Sequence, residues 1–143
     1  MKNGSRIRLV GAVVFSAALL SPPSARAETA EYTIDASVNP NPLQKDQAAT
    51  LALTIKPQGS WVLKTETPFR VVLKAPKGVT LKKDQLSAKD IVDAKSADKT
   101  VLAPFTSKQS GKHEITAELT FFLCSDEVCQ RHKDTAKAVF TVK

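Results

Sequence analysis

The sequence predicts an all-β fold, an immunoglobulin-like antiparallel β-sandwich. Three observations predict it. Apolar and polar residues alternate with period two along most of the chain. Clusters of Pro, Gly and Asn interrupt that alternation at short intervals. No helical period is sustained in the part of the chain that alternates. Alternation places one face of a strand in a core and the other in solvent. Several such strands with frequent turns suit two packed sheets.

The elements follow in order. Lys2, Arg6 and Arg8 precede an apolar run from Leu9 to Leu20, broken only by Gly11 and Ser16. Ser21-Pro22-Pro23 ends the run, and Ala25-Arg26-Ala27 places small residues where a signal peptidase reads them. Residues 1–27 are therefore expected to be a cleaved secretory signal. A run of this length is short of the ~20 residues needed to span a bilayer. Residues 28–143 are expected to form a single domain, without a membrane span. Tyr32, Ile34, Ala36 and Val38 predict a first strand, ended by Asn39-Pro40-Asn41-Pro42 because proline cannot donate to a ladder. Leu51, Leu53 and Ile55 predict a second, ended at Pro57-Gln58-Gly59. Phe69, Val71 and Leu73 predict a third, before a turn at Pro76-Lys77-Gly78. Leu86 to Ala97 has few apolar residues and no recognisable cap pair, so it reads as a loop or irregular edge. Val101 to Thr106 predicts a short strand, Ile115 to Leu123 a longer one, and Ala138 to Val142 the last.

Charge excludes some functions. The full chain carries +7. Four of its basic residues, Lys2, Arg6, Arg8 and Arg26, and none of its acids lie in the signal, which leaves +3 on the remainder. That charge is scattered, so no nucleic-acid partner is expected. No phosphate-binding glycine loop, HExxH or paired CxxC motif occurs, and no cofactor is expected. Ser, His and Asp occur without the context of a nucleophile.

The densest chemistry lies between Phe121 and Asp134. A strand runs into Cys124, four residues intervene, and Cys129 leads into Gln130-Arg131-His132-Lys133. The gap lets the chain turn back and bring the two sulfurs together. In an oxidising compartment they are expected to pair. Three readings follow. The bond pins a surface hairpin, closing a loop worth about 2 kcal/mol in the chain-entropy model. Or the pair is redox-active, since thiol–disulfide exchange needs two neighbouring cysteines and access. Or, when reduced, Cys124, Cys129 and His132 hold Cu(I) or Zn(II). Arg131, His132 and Lys133 supply positive charge near Cys129, which makes it the candidate for the more activated thiol. Asp126 and Glu127 act in the opposite sense. Phe121 and Phe122 are consecutive, so only one faces the core; Phe122 beside Cys124 is a candidate partner surface with Arg131 and His132.

This hairpin, the secretory signal and the sandwich together resemble the N-terminal periplasmic domain of DsbD-type thiol–disulfide interchange proteins. The matching stretch runs from Leu119 to Val142: apolar strand, Cys124, polar tip, Cys129, polar turn, final strand. Trp61 to Leu73 more loosely resembles the segment before the central strands. The resemblance implies that Cys124 and Cys129 form a redox pair relaying electrons. The partners it implies are periplasmic thioredoxin-like or other redox proteins, with a separate membrane electron donor. It also implies an aromatic cap over the pair, for which Trp61 and Phe69 are the candidates. The chain departs from the family in having four residues between the cysteines where five are expected, and Gln130-Arg131-His132-Lys133 in place of aromatic and proline residues. The expected function is a secreted or periplasmic exchange module. The alternative is a binding or structural domain with a permanent hairpin disulfide.

Overall fold

The computed structural model describes residues 30–143; the expected signal peptide lies outside the described residues. Nine strands follow in chain order: β1 Tyr32–Asn39, β2 Ala49–Pro57, β3 Val62–Leu63, β4 Arg70–Lys74, β5 Val79–Leu81, β6 Gln85–Ser87, β7 Lys99–Ser107, β8 Gly111–Cys124 and β9 Cys129–Val142. They form two antiparallel sheets. The first has the order β1-β2-β7-β5. In the second, β8 pairs with β9 along one edge and with β3 and β4 along the other, and β6 flanks β4.

This is an immunoglobulin-like sandwich. The order β1-β2-β7-β5 reproduces the A-B-E-D sheet of that fold, and β9-β8-β4 reproduces G-F-C. One feature is reversed: β5, beside β7, precedes β6, beside β4.

The core lies where the alternation places it. Leu51, Leu53 and Ile55 of β2 and Val101, Ala103 and Phe105 of β7 face Val71 and Leu73 of β4 and Ile115 to Leu123 of β8. Burying each large side chain is worth about 1.5–3 kcal/mol relative to exposure. After β1 the two prolines stand in cis peptides, Asn39–Pro40 and Asn41–Pro42. The chain then crosses to the other sheet, where Leu43 N–H donates to Thr141 carbonyl at 2.9 Å and Lys143 N–H to Leu43 carbonyl at 2.8 Å. At the turn before β5, Gly78 has φ +89, and a Cβ there would lie 2.7 Å from the Gln109 side chain.

Three expectations need correction. The last strand begins at Cys129, not near Ala138, and is fourteen residues long. Its upper inward positions, Gln130, His132 and Asp134, are polar because only the start of β1 covers them, so period two is invisible there. The segment read as a loop or irregular edge does open on the edge strand β6, followed by a 3-10 turn at Ala88–Asp90, and only its expected lack of a cap pair is corrected. A cap pair is present after all: Ser87 N–H donates to Asp90 Oδ2 at 2.8 Å. The ammonium of Lys83, ahead of the Ser87 N–H, holds the Asp90 carboxyl below its usual range. Finally, β7 starts two residues earlier than expected, at Lys99. That lysine is buried, and its ammonium donates to the carbonyls of Ala94, at 2.7 Å, and Ser96. Burial of a charge requires such partners.

Candidate functional site

The tip of the β8–β9 hairpin carries the two cysteines. The register pairs Cys124 directly with Cys129, their Cα atoms are 4.0 Å apart, and a disulfide joins them. Cα atoms this close belong to a non-hydrogen-bonded pair, where side chains approach most closely. The tip is tied by Ser125: its N–H donates to Val128 carbonyl at 2.8 Å, and its hydroxyl accepts from the N–H groups of Glu127 and Val128 at 3.3 Å each. A serine that accepts from the following amides is a common way to close a polar turn.

Parity assigns every side chain of the hairpin to a face. Phe121 and Leu123 point inward and are fully buried. Phe122 and Cys124 point outward, and Phe122 is half-buried. Cys124 is nevertheless only 2% exposed. It pairs with Cys129 on one side and with Val62 of β3 on the other. Cys129 is exposed. The disulfide thus joins a covered residue to an open one.

The candidate residues separate along the same lines. Arg131 lies opposite Phe122 on the outer face, one same-face rung from Cys129. His132 lies opposite Phe121 on the inner face. It therefore stands on the other side of the sheet from the Cys129 side chain, and the two expected groupings of His132, with the cysteines as ligands and with Phe122 and Arg131 as partner surface, are not brought together. Lys133 returns to the outer face, opposite Thr120. Of the two cap candidates, Trp61 is half-buried, packs against the core, and lines a shallow hollow with Ser60, Gln130 and the tip residues 125–128. Phe69 is a core residue, 7% exposed, and its open edge lines a second hollow beneath Phe122 and Arg131.

A polar cluster on the inner face escaped the sequence reading. Tyr32 of β1 meets Phe121 edge-on at 5.0 Å and His132 at 5.0 Å, while His132 stacks on Phe121 at 5.6 Å. The Tyr32 hydroxyl donates to Asp134 Oδ2 at 2.9 Å. His132 Nε2 is buried 3.1 Å from Glu31 Oε2 but lacks the alignment of a hydrogen bond. Burial, then the Asp134 carboxylate that accepts from it, pushes the Tyr32 phenol up to about 12. This cluster ties the open edge of the first sheet to the hairpin. Glu31 and Tyr32 lie about a hundred residues from His132 and Asp134, and no local pattern links them.

No protein-family model matches the chain, and no curated protein matches it. Solved structures with some similarity include a conjugative transposon lipoprotein from Bacteroides eggerthii, 11% identical over 77% of this chain and 98% of that one, TM-score 0.38. They also include the bacterial hydrophobin BslA, 13% identical over 80% and 95%, TM-score 0.38. A third is AggA, the major subunit of aggregative adherence fimbriae type I from Escherichia coli, 9% identical over 81% and 98%, TM-score 0.37. Likeness this low carries no argument about function. Among the described residues, no helix is long and apolar enough to cross a membrane.

Proposed function

We propose that the chain is a secreted or periplasmic thiol–disulfide exchange module, in which Cys124 and Cys129 cycle between disulfide and dithiol and relay electrons between protein partners. The observation that carries this reading is the unequal exposure of the pair: Cys129 is open at the hairpin tip, and Cys124 is covered beside it. Exchange needs one sulfur within reach of an incoming thiolate and a second held close, to leave and to return.

The steps balance as follows. A thiolate of a reduced partner attacks Cys129 Sγ. The Cys124–Cys129 bond breaks, and Cys124 leaves as a thiolate and takes up a proton. A second thiolate of the partner then attacks the partner's own sulfur in the mixed disulfide and releases Cys129 as a thiolate, which is protonated in turn. Two electrons have passed to the hairpin and the partner is oxidised. The reverse sequence, with Cys129 attacking and Cys124 resolving, reduces a thioredoxin-like partner. A separate membrane protein would supply the electrons. The resemblance to DsbD-type N-terminal domains supports a redox role for the pair.

The test is the reduction potential of the pair, measured by equilibrating the protein in glutathione buffers. Rapid equilibration between about −270 and −120 mV supports relay. A value below about −300 mV, with slow reduction of the folded protein, makes the bond a permanent staple and the domain a binding or structural module.

A further inference from the structure

The sheet is broken beside the disulfide. On the edge of β8, β3 pairs last with Leu123 and β4 first with Thr120. The six residues Lys64 to Phe69 therefore bypass only two positions of β8, Phe121 and Phe122, and leave the sheet to do so. A hollow of about 500 Å³ opens there, lined by Pro68, Phe69, Arg70, Thr120, Phe122 and Arg131. Arg70, Arg131 and Lys133 share this outer face, and among the described residues none of the three is in an ion pair. Arg70 donates only to the neutral Gln85 Oε1, at 3.3 Å. The acid of the next row, Glu118, is already engaged by Lys74. Glu66 lies on the bypass loop, and Asp126 and Glu127 lie beyond the disulfide at the tip.

We propose that this hollow docks an acidic segment of the redox partner, one that carries Asp or Glu and an apolar side chain next to its reactive cysteine. The inference rests on the exchange reading and names the chemistry of the partner. The apolar side chain packs on Phe122 and the open edge of Phe69. The carboxylates pair with the guanidinium groups of Arg70 and Arg131, whose planar forks suit carboxylate. Successive residues on one face of a strand are about 7 Å apart. A segment seated over Phe122 and Arg131 thus presents its neighbouring cysteine to Cys129, one rung away.

The test uses the purified, oxidised protein and three short peptides: an acidic one with a cysteine, its lysine counterpart with a cysteine, and the acidic one with serine for cysteine. Mixed-disulfide formation is followed by mass spectrometry against salt, and binding of the serine peptide by amide shifts in β8 and β9. The acidic cysteine peptide should react about tenfold faster than the basic one at low salt, with the advantage lost at high salt. Arg131→Glu should reverse the preference and Arg70→Ser weaken it. Lys95→Glu, the same charge change on the loop before β7, should leave most of it. Equal rates for both cysteine peptides, with no shifts from the serine peptide, overturn the docking proposal while leaving exchange intact. Shifts around Phe122 with no reaction of either cysteine peptide support docking and overturn exchange. A preference that Lys95→Glu abolishes as fully as Arg131→Glu reflects overall charge and overturns the hollow. So does a dimer that Arg131→Glu dissolves, which would make the acidic tip of a second copy the occupant.

Discussion

Reducing the Cys124–Cys129 bond should weaken the fold modestly and leave the hairpin in place. The bond closes a loop between residues five apart. In the chain-entropy model such a loop is worth about 2 kcal/mol. The remainder of the hairpin has other supports. Thirteen further cross-strand pairs lie below the cysteines, from Gly111↔Val142 to Leu123↔Gln130. Phe121 and Leu123 are fully buried, β3 pairs with the end of β8, and the Tyr32–Asp134 hydrogen bond holds β9 to β1. For a domain of this size a loss of about 2 kcal/mol lowers the Tm by roughly 8 °C. Urea unfolding of oxidised protein, reduced protein and Cys129→Ser would read it, with an unchanged m-value as the sign that the folded and unfolded states keep their compactness. Amide exchange along β8 and β9 would show whether the hairpin stays paired. A loss above about 4 kcal/mol, or exchange of the whole hairpin on reduction, would refute the reasoning. The bond would then hold the hairpin together, and a pair that must open in every cycle could not do that.

Two further predictions concern the inner face. The Tyr32 phenol is raised to about 12, so its neutral form is favoured by folding. That stability is fully present below the unfolded value near 10 and is lost as pH climbs through 10 toward 12. Urea midpoints measured from pH 8 to pH 11.5 should fall less steeply for Tyr32→Phe than for wild type, and identical slopes would remove the assigned role of the phenol. Phe121→Ala should cost about 3–5 kcal/mol, since the ring is fully buried, whereas Phe122→Ala should cost about 1 kcal/mol; the opposite order in urea titrations would mean that the strand faces are reversed.

Much of the sandwich was legible because its strands bury one face. Leu51, Leu53 and Ile55, or Ile115, Ala117, Leu119, Phe121 and Leu123, declare their inner face by composition, and each is buried. Phe121 inside and Phe122 outside followed from the same parity. The reading failed where that contrast vanishes. The upper half of β9 is polar on both faces, so it read as a turn although it is continuous strand. Lys99 is buried by virtue of two carbonyl acceptors, which no pattern of hydrophobicity records. At the site, the cysteine pair was visible from its spacing. Given the pairing of Cys124 with Cys129, the opposition of Phe122 and Arg131 follows by counting back along the two strands. Arg70 does not follow, because the register of β4 against β8 is set by packing across the sheet. His132 grouped with the cysteines in sequence but not in space, since three residues along a strand reverse the face.

The sequence alone therefore determined the all-β class, most of the core, the break after β1 and the cysteine hairpin. These rest on local periodicity, turn chemistry and short chain closure, all of which act within a few residues. Only the tertiary structure decided which strands are neighbours, that Cys124 is covered while Cys129 is open, and that a bypass loop opens a cationic hollow beside them. It alone also joined Tyr32 and Glu31 to the far end of the chain. Those features depend on segments 50 to 100 residues apart meeting in one register, and that meeting is selected by packing of the whole core rather than by any local run of residues.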